Sequence, residues 1–525
     1  MVFLKFLLLW WKSAQRNKAY LALGYLVIIC IVDVLANVGF IQWQKQFFDA
    51  LERKDVSVFF HQILMFFPVS ILVLTSFVGT DFLKSFVGLR WRGWMSKDLS
   101  RRWLDHQSYY KIPLHGDQID NPDQRIAQDI KDVTQNTTDL FVIFFKSTLN
   151  LITFSYFLWI IGGPLVFVAA VIYSFLAIFI TSKVGKPLIA LDQTQEKVEA
   201  NFRYRLMRIM EKKEEIAKLS GEKYEQLTLD QSFNDISLNY MKILIQKIYL
   251  DITEILHGQG NMFIPLILVG PFYFQGLISL GVLMQIRAMF YEVYRSLSAF
   301  AYEYQKIASL RASCNRLIDF SKRIEETCDD INTTRKEGIF ELKNLCVLTP
   351  QGKIIWNVPD FCLSLGDKKV LKAPSGTGKT SLVRVISGIY PYFTGKVQLP
   401  PKNQIMIIPQ RTYMNLGTLR NIVCYPGVNG DLAVEETMHL CGLSHLIPLL
   451  DIQDDYTQIL SAGEQQRINF VRVLLQKPLY LIMDEPISAL DESAATKLLS
   501  LLSASIPNSA ILLFSHTPAS GFEEI

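Results

Sequence analysis

Charge is scarce in this chain, and so is histidine: 19% of the 525 residues are Asp, Glu, Lys or Arg, seven are histidine, and half are hydrophobic. So little charge with so much apolar surface excludes a disordered chain and strains a purely soluble reading. An excess of either sign is missing too, with 53 Lys and Arg against 49 Asp and Glu, a formal +4. Without a basic patch that bias marks no nucleic-acid surface, so no nucleic-acid partner is expected. Cysteine is limited to seven residues, an odd number with no C-x-x-C pair and no histidine at metal-ligand spacing. That pattern argues against a zinc site or a disulfide framework, and for a reducing compartment around the C-terminal half. The length exceeds one ordinary domain and favours at least two cores.

What the first 300 residues do contain is long charge-free runs. Val56 to Thr80 carries no charge, Ser147 to Ser182 runs 36 residues without one, and Ile255 to Ile286 runs 32. A helix crossing hydrocarbon needs roughly 20 apolar residues. The two longer runs, broken at Gly162-Gly163-Pro164 and near Gly276, are each read as a helical hairpin. Ala19 to Gln44 is apolar except for Asp33, a charge that must face protein or water. Six spans are therefore expected near 19–44, 56–82, 138–161, 163–182, 250–272 and 276–298. Asp33 and Asn37, four apart, are expected to share a face toward a cavity or a neighbouring helix.

Residues 1–18, with Trp10, Trp11, Lys5, Lys12 and Arg16, read as an amphipathic interfacial helix that is retained, the tryptophans acting as interface anchors. The charged stretches Lys84 to Asp132 and Lys183 to Lys247 face the cytoplasm by the positive-inside rule. Apolar residues such as Phe202, Leu206 and Ile216 recur among their charges, so the helices are expected to continue as long cytoplasmic legs. The transmembrane domain is assigned 19–325, a polar linker 326–337, and a soluble α/β domain 338–525, where short β-type runs alternate with helical stretches.

Ala373-Pro374-Ser375-Gly376-Thr377-Gly378-Lys379-Thr380 follows an apolar strand and opens a helical run at Ser381. It is a phosphate-binding loop with alanine in place of the first glycine. Gly376 and Gly378 let backbone N–H groups curl around phosphate, Lys379 reaches the outer phosphates, and Thr380 offers a hydroxyl to Mg²⁺. About 100 residues on, Leu479 to Met483 leads into Asp484 and Glu485, a metal carboxylate followed by a general base. ATP and Mg²⁺ are the expected ligands.

With Leu460-Ser461-Ala462-Gly463-Glu464-Gln465-Gln466-Arg467 between them, and Asp491 and His516 after, this ordered set resembles the nucleotide-binding domain of ABC transporters. The resemblance implies that Gln410 senses the γ-phosphate and touches the metal, and that Ser461, Gly463 and Glu464 belong to a signature that closes on ATP. It further makes Asp491 the D-loop carboxylate and His516 the switch histidine. One phosphate loop and one signature per chain imply a second copy of the chain, because the family's ATP lies between two domains. An adenine-stacking aromatic is absent near Thr349, and Ala462 stands where glycine is usual.

The first half resembles the half-transporters that include the peroxisomal fatty-acyl-CoA carriers and the bacterial SbmA/BacA-like and YddA-like proteins. The resemblance is carried by Leu89-Arg90-Trp91-Arg92-Gly93-Trp94, by Ile119 to Ile126 with Asp129, by Glu199 to Tyr204, and by Tyr273 to Gln285. Asn201 stands where an acidic residue is common. The resemblance implies an exporter-type six-span helical domain fused to an α/β ABC ATPase, in a bacterial inner membrane with the ATPase cytoplasmic. It implies ATP-driven transport of a peptide-like or other bulky amphiphilic compound, with acyl-CoA and cobalamin as alternatives. Asn121-Pro122-Asp123, capped by Asp120 or Asn121, is expected to start a short helix that couples to the ATPase near Gln410. Two readings stay open beside transport: a membrane-anchored regulatory ATPase, and an ion-driven carrier with a vestigial ATPase.

Overall fold

The computed structural model describes residues 9–13, 16–114, 121–326, 334–372, 374, 376–427, 433–515 and 521–525. The chain divides into two compact units, 1–100 with 121–321, and 101–120 with 322–525.

Among the described residues the first unit holds seven helices of 23 residues or more: α1 (Arg16–Glu52), α2 (Val56–Leu104), α3 (Ile130–Phe157), α4 (Gly163–Glu211), α5 (Glu222–Phe274), α6 (Leu280–Tyr302) and α7 (Tyr304–Glu326). By length and composition, four helical stretches suffice to cross a membrane among the described residues: α1, α2, α5 and the run 122–211. That last run holds two helices, because at Gly163 the backbone leaves helical geometry with φ +79° and ψ 169°. α6 is 23 residues long but carries Arg287, Glu292 and Arg295, which keeps it below a purely compositional threshold. At 1.5 Å per residue, the 49 residues of α2 and of α4 and the 53 of α5 reach roughly 75–80 Å, more than twice the ~30 Å hydrocarbon thickness.

The side of α2 that faces away from the unit shows what surrounds it. Phe60, Leu64, Phe67, Ile71 and Leu74 recur at helical spacing and are all more than half exposed. A soluble helix would bury such a stripe, whereas hydrocarbon covers it at no cost. Inside, α6 packs on α1, α3, α4 and α5, and α4 runs along α5. The core joins Phe154, Leu158, Ala170, Ile286, Phe290 and Val293. Gly281 permits the closest approach: a Cβ there would lie 2.2 Å from the Lys45 carbonyl oxygen. The free N–H groups that begin α6 are taken by α1 and its end, with Gly281 N donating to Asp49 and Leu280 N to Glu52.

Trp10 corrects one expectation. It is 2% exposed and stacks on Trp91 of α2 at 5.9 Å, with Val87 and Ala19 completing the cluster. It is a packing residue of the bundle, because α2 offers an aromatic partner where an interface anchor would meet headgroups. Asp33 also differs. Its partner is Lys146 of α3 at 2.5 Å, with the Ser76 hydroxyl donating to the other oxygen.

The second unit has a parallel sheet in the order Glu523–Glu524, Lys368–Lys372, Ala510–Ser515, Tyr480–Asp484, Ile405–Ile408. Tyr480–Asp484 and Ala510–Ser515 are buried at every position, as strands covered on both faces must be. A second, mainly antiparallel sheet centres on Glu341–Leu348 and Phe393–Leu399. Thr334–Arg335, expected as linker, pairs with the end of Phe393–Leu399. The segment 101–114 belongs to this unit through helix Ser108–Leu114, where the Tyr392 hydroxyl donates to the Leu114 carbonyl. The short helix Pro122–Gln124 lies in the first unit. Asn121 precedes it with φ +50° and makes no side-chain cap, and Asp120 lies outside the described residues.

Candidate functional site

Parallel strands put their carboxyl ends at one edge of a sheet, and ligands bind there. Lys372, Asp484 and Ser515 end three adjacent strands of this sheet. The phosphate loop follows the first, Glu485 the second, and His516 the third, although His516, Ala373 and Ser375 lie outside the described residues.

Gly376 and Gly378 have φ of +83° and +103°, a region that side chains with a Cβ rarely adopt. A Cβ on Gly378 would also lie 2.5 Å from Ile355 Cγ2, so that space is shaped by the absence of a side chain. The Thr377 hydroxyl closes the loop by donating to the Pro374 carbonyl at 2.9 Å. Gly378 then begins the helix Lys379–Ser387, in which Thr380 and Ser381 occupy the first turn. The free N–H groups of that turn form an anion-binding end.

Lys379 is buried, with Nζ 3.2 Å from Glu485 Oε1, and Gln410 Nε2 donates to Glu485 Oε2 at 2.9 Å. Three residues separated by as many as 106 positions thus meet at one carboxylate. Glu485 is itself held in the left-handed region at φ +45°, where its N–H donates to the Phe514 carbonyl. Such backbone strain in a non-glycine residue concentrates at functional sites. Asp484, 3% exposed, has its carboxyl pushed up by burial and by the neighbouring Glu485, against the Thr380 hydroxyl, Lys379 and Arg384. A divalent cation reverses that balance. Thr380, Asp484 and Gln410 are oxygen donors of the type Mg²⁺ prefers. Among the described residues no cluster of three His, Cys, Asp or Glu forms.

The signature residues are built as a helix start. Ser461 caps Ala462–Gln476 in a capping box: its hydroxyl accepts from Glu464 N, and Glu464 accepts from Ser461 N. His445 also contacts Glu464, at 2.6 Å. The Glu464 carboxyl is therefore engaged in shaping the turn, its value pushed up by burial but brought below the usual carboxylate range by the Ser461 and His445 bonds. Gly463 passes beside Ala489, whose carbonyl a Cβ would meet at 3.2 Å. Asp491 caps the next helix, Glu492–Ser505, by accepting from Ala494 N.

Gln466 of the signature segment, with Thr412, Asn469 and Arg472, which carry no role in the sequence reading, ties these pieces together. Gln466 donates to Ser488 and accepts from Ala489 N, joining the signature helix to the segment after Glu485. Thr412 donates to the Gln465 carbonyl and accepts from Asn469. Arg472, 5% exposed, donates to the carbonyls of Ile422 and Tyr413. The segment after Gln410 is thereby bonded to the signature helix. Side chains that bond across 50 or more positions leave no periodic signal.

Comparison with known proteins gives a consistent picture. Residues 10–274 match the family "ABC transporter transmembrane region 2", and 357–488 match "ABC transporter". The chain is similar to the inner membrane ABC transporter ATP-binding protein YddA of Escherichia coli (strain K12), at 30% identity over 96% of this chain and 93% of that one. It is similar to the human lysosomal cobalamin transporter ABCD4 at 25% identity, over 91% and 86% of the two chains. Its fold is similar to that of a bacterial Atm1-family ABC exporter solved with ATP bound, with a TM-score of 0.76, 15% identity, and 96% and 92% coverage.

Proposed function

The chain belongs to the ABC transporters, with a membrane unit and an ATPase unit that couples ATP hydrolysis to transport, and from this we propose that it is a homodimeric half-transporter carrying a peptide-like or similar bulky amphiphile. We place it in a bacterial inner membrane with the ATPase cytoplasmic, on the side of the Lys- and Arg-bearing helical legs.

The observation that carries the reading is the meeting of Lys379, Gln410 and Glu485, next to Asp484, in a unit fused to the long helices α1–α6. A vestigial ATPase has no reason to keep a buried lysine, a strained general base and its glutamine together. Backbone N–H groups around Gly376, Thr377 and Gly378, with Ser381 in the first helical turn, bind the phosphates. Lys379 binds the outermost. Thr380, Asp484 and Gln410 would hold Mg²⁺, which would supply neutralisation of the negative charge that develops on the phosphates. Glu485 accepts a proton from the attacking water. Ser461 and Gly463 lie at a helix start whose N–H groups complete the site of a second copy, with Glu464 fixing the turn and Asp491 shaping the adjoining loop. His516 is proposed as the switch histidine on its sequence position.

The test is ATP-driven flux of a labelled peptide, acyl-CoA and cobalamin in sealed vesicles, wild type against Glu485→Gln. Loss of a general base costs on the order of 10²–10⁴ in rate, so phosphate release should fall by that much and flux should stop. A Glu485→Gln protein with unchanged flux contradicts the proposal.

A further inference from the structure

Between α2, α3 and α6 lies a cavity of about 240 Å³. It sits within the membrane-embedded unit, yet its wall carries charge: Asp81, Lys84, Lys146 and Arg295 line it, with Phe77 and Ile143 among the apolar residues. Asn150 lines it as well. It is 8% exposed, and its Oδ1 is buried with no hydrogen-bond partner among the described residues.

The ion pairs around the cavity decide what that ligand is. Lys146 is closed on Asp33 at 2.5 Å, and Lys84 bridges Asp81 and Asp139 at 2.9 and 3.2 Å. Among the described residues the ion pair of Arg295 is a long 3.4 Å contact with Glu292, and Arg295 stays 58% exposed, while the Asp81 side chain is 65% exposed. Glu292 Oε2 is buried with no hydrogen-bond partner among the described residues. The cluster thus holds three cations, Lys84, Lys146 and Arg295, against four carboxylates, Asp33, Asp81, Asp139 and Glu292. In a low-dielectric region a net negative cluster repels a ligand with several negative charges. One accessible cation and one accessible carboxylate on the same wall suit a ligand that carries both signs. The volume is about eight times the ~30 Å³ of a water molecule, enough for a charged headgroup and too small for a whole bulky cargo.

We infer that this cavity binds a short zwitterionic peptide-like molecule through its two charged ends, with the carboxylate on Arg295 and the ammonium on Asp81. The inference rests on the transport reading and narrows its cargo: it favours zwitterions over polyanionic thioesters of the acyl-CoA type.

The test measures equilibrium binding to the full-length protein in lipid nanodiscs. The probes are a radiolabelled apolar tripeptide with free ends, its N-acetyl form, its C-terminal amide, and palmitoyl-CoA. The free-ended peptide should bind best, and blocking either end should weaken it on the order of tenfold, the loss typical of one charge-assisted contact. Arg295→Gln should weaken the free acid similarly and leave the C-terminal amide unaffected. Asp81→Asn should do the same for the free amine against the N-acetyl form. This pairing of variant with blocked end separates a lost contact from a damaged fold, which would weaken every probe alike. Equal binding of free and blocked peptides, tighter binding of palmitoyl-CoA, or variants that weaken all probes equally overturns the inference. Flux in vesicles keeps the two proposals apart. ATP-driven flux indifferent to the peptide ends removes the zwitterion site and spares transport, whereas selective binding without ATP-driven flux of any probe removes transport and spares the site.

Discussion

Lys146 Nζ sits 2.5 Å from Asp33 Oδ2, joining α3 to α1 in the middle of the membrane unit, with the two side chains 17% and 14% exposed. We predict that Lys146→Leu alone or Asp33→Asn alone destabilises the protein by about 1–3 kcal/mol, because each leaves a half-buried charge without its partner. The double variant should recover most of that loss. Thermal unfolding in nanodiscs checks this, and a double variant as unstable as the sum of the singles would count against the pair.

Gly378 combines φ +103° with a Cβ position 2.5 Å from Ile355 Cγ2. Gly378→Ala is predicted to displace the loop ahead of Lys379 and to lower ATP affinity by at least an order of magnitude, roughly the effect of 1–3 kcal/mol of backbone strain at a site. The strand Ile354–Asn357 carrying Ile355 should stay folded. Nucleotide binding read beside the melting temperature separates the two, and unchanged affinity contradicts the prediction.

Asp129 gives a pH signature outside the spans. It is 2% exposed and accepts from Arg316 at 2.5 and 3.0 Å and from Arg125 at 3.0 Å. Burial pushes its carboxyl up, but the two arginines outweigh burial and hold it below the ordinary value. A carboxyl lowered in the folded state adds stability above the unfolded value, about 3.9, and loses it as pH falls through the folded one. Asp129→Asn should therefore lower the melting temperature at neutral pH, with a gap to wild type that narrows toward about pH 3. A gap that stays constant over that range would show that the carboxylate charge is not what holds Arg316.

Much of this was legible in the sequence because it is local. Charge-free runs outline the helices, since each residue in hydrocarbon is tested on its own. The phosphate loop and the Asp484-Glu485 pair announce themselves because one strand end and one turn place them. The pairings are another matter. The sequence places Asp33 toward a neighbouring helix but does not say which residue meets it; that residue is Lys146, more than 100 positions on. Trp10 reads from sequence as an interface anchor, whereas it packs against Trp91. Arg316 on Asp129, His445 on Glu464 and Arg472 on Ile422 are side-chain contacts between elements. Their formation depends on tertiary packing, which no periodicity encodes.

The central claim is that two copies share ATP across their seam and that hydrolysis there moves cargo. The direct measurement is ATP-driven flux in vesicles holding mixed dimers, one copy Lys379→Ala and the other Gly463→Asp. Each variant alone should be inactive. The mixed dimer keeps one site with an intact phosphate loop and an intact signature, and is predicted to regain ATP hydrolysis and flux. Mixed dimers as inactive as either variant alone would contradict the account.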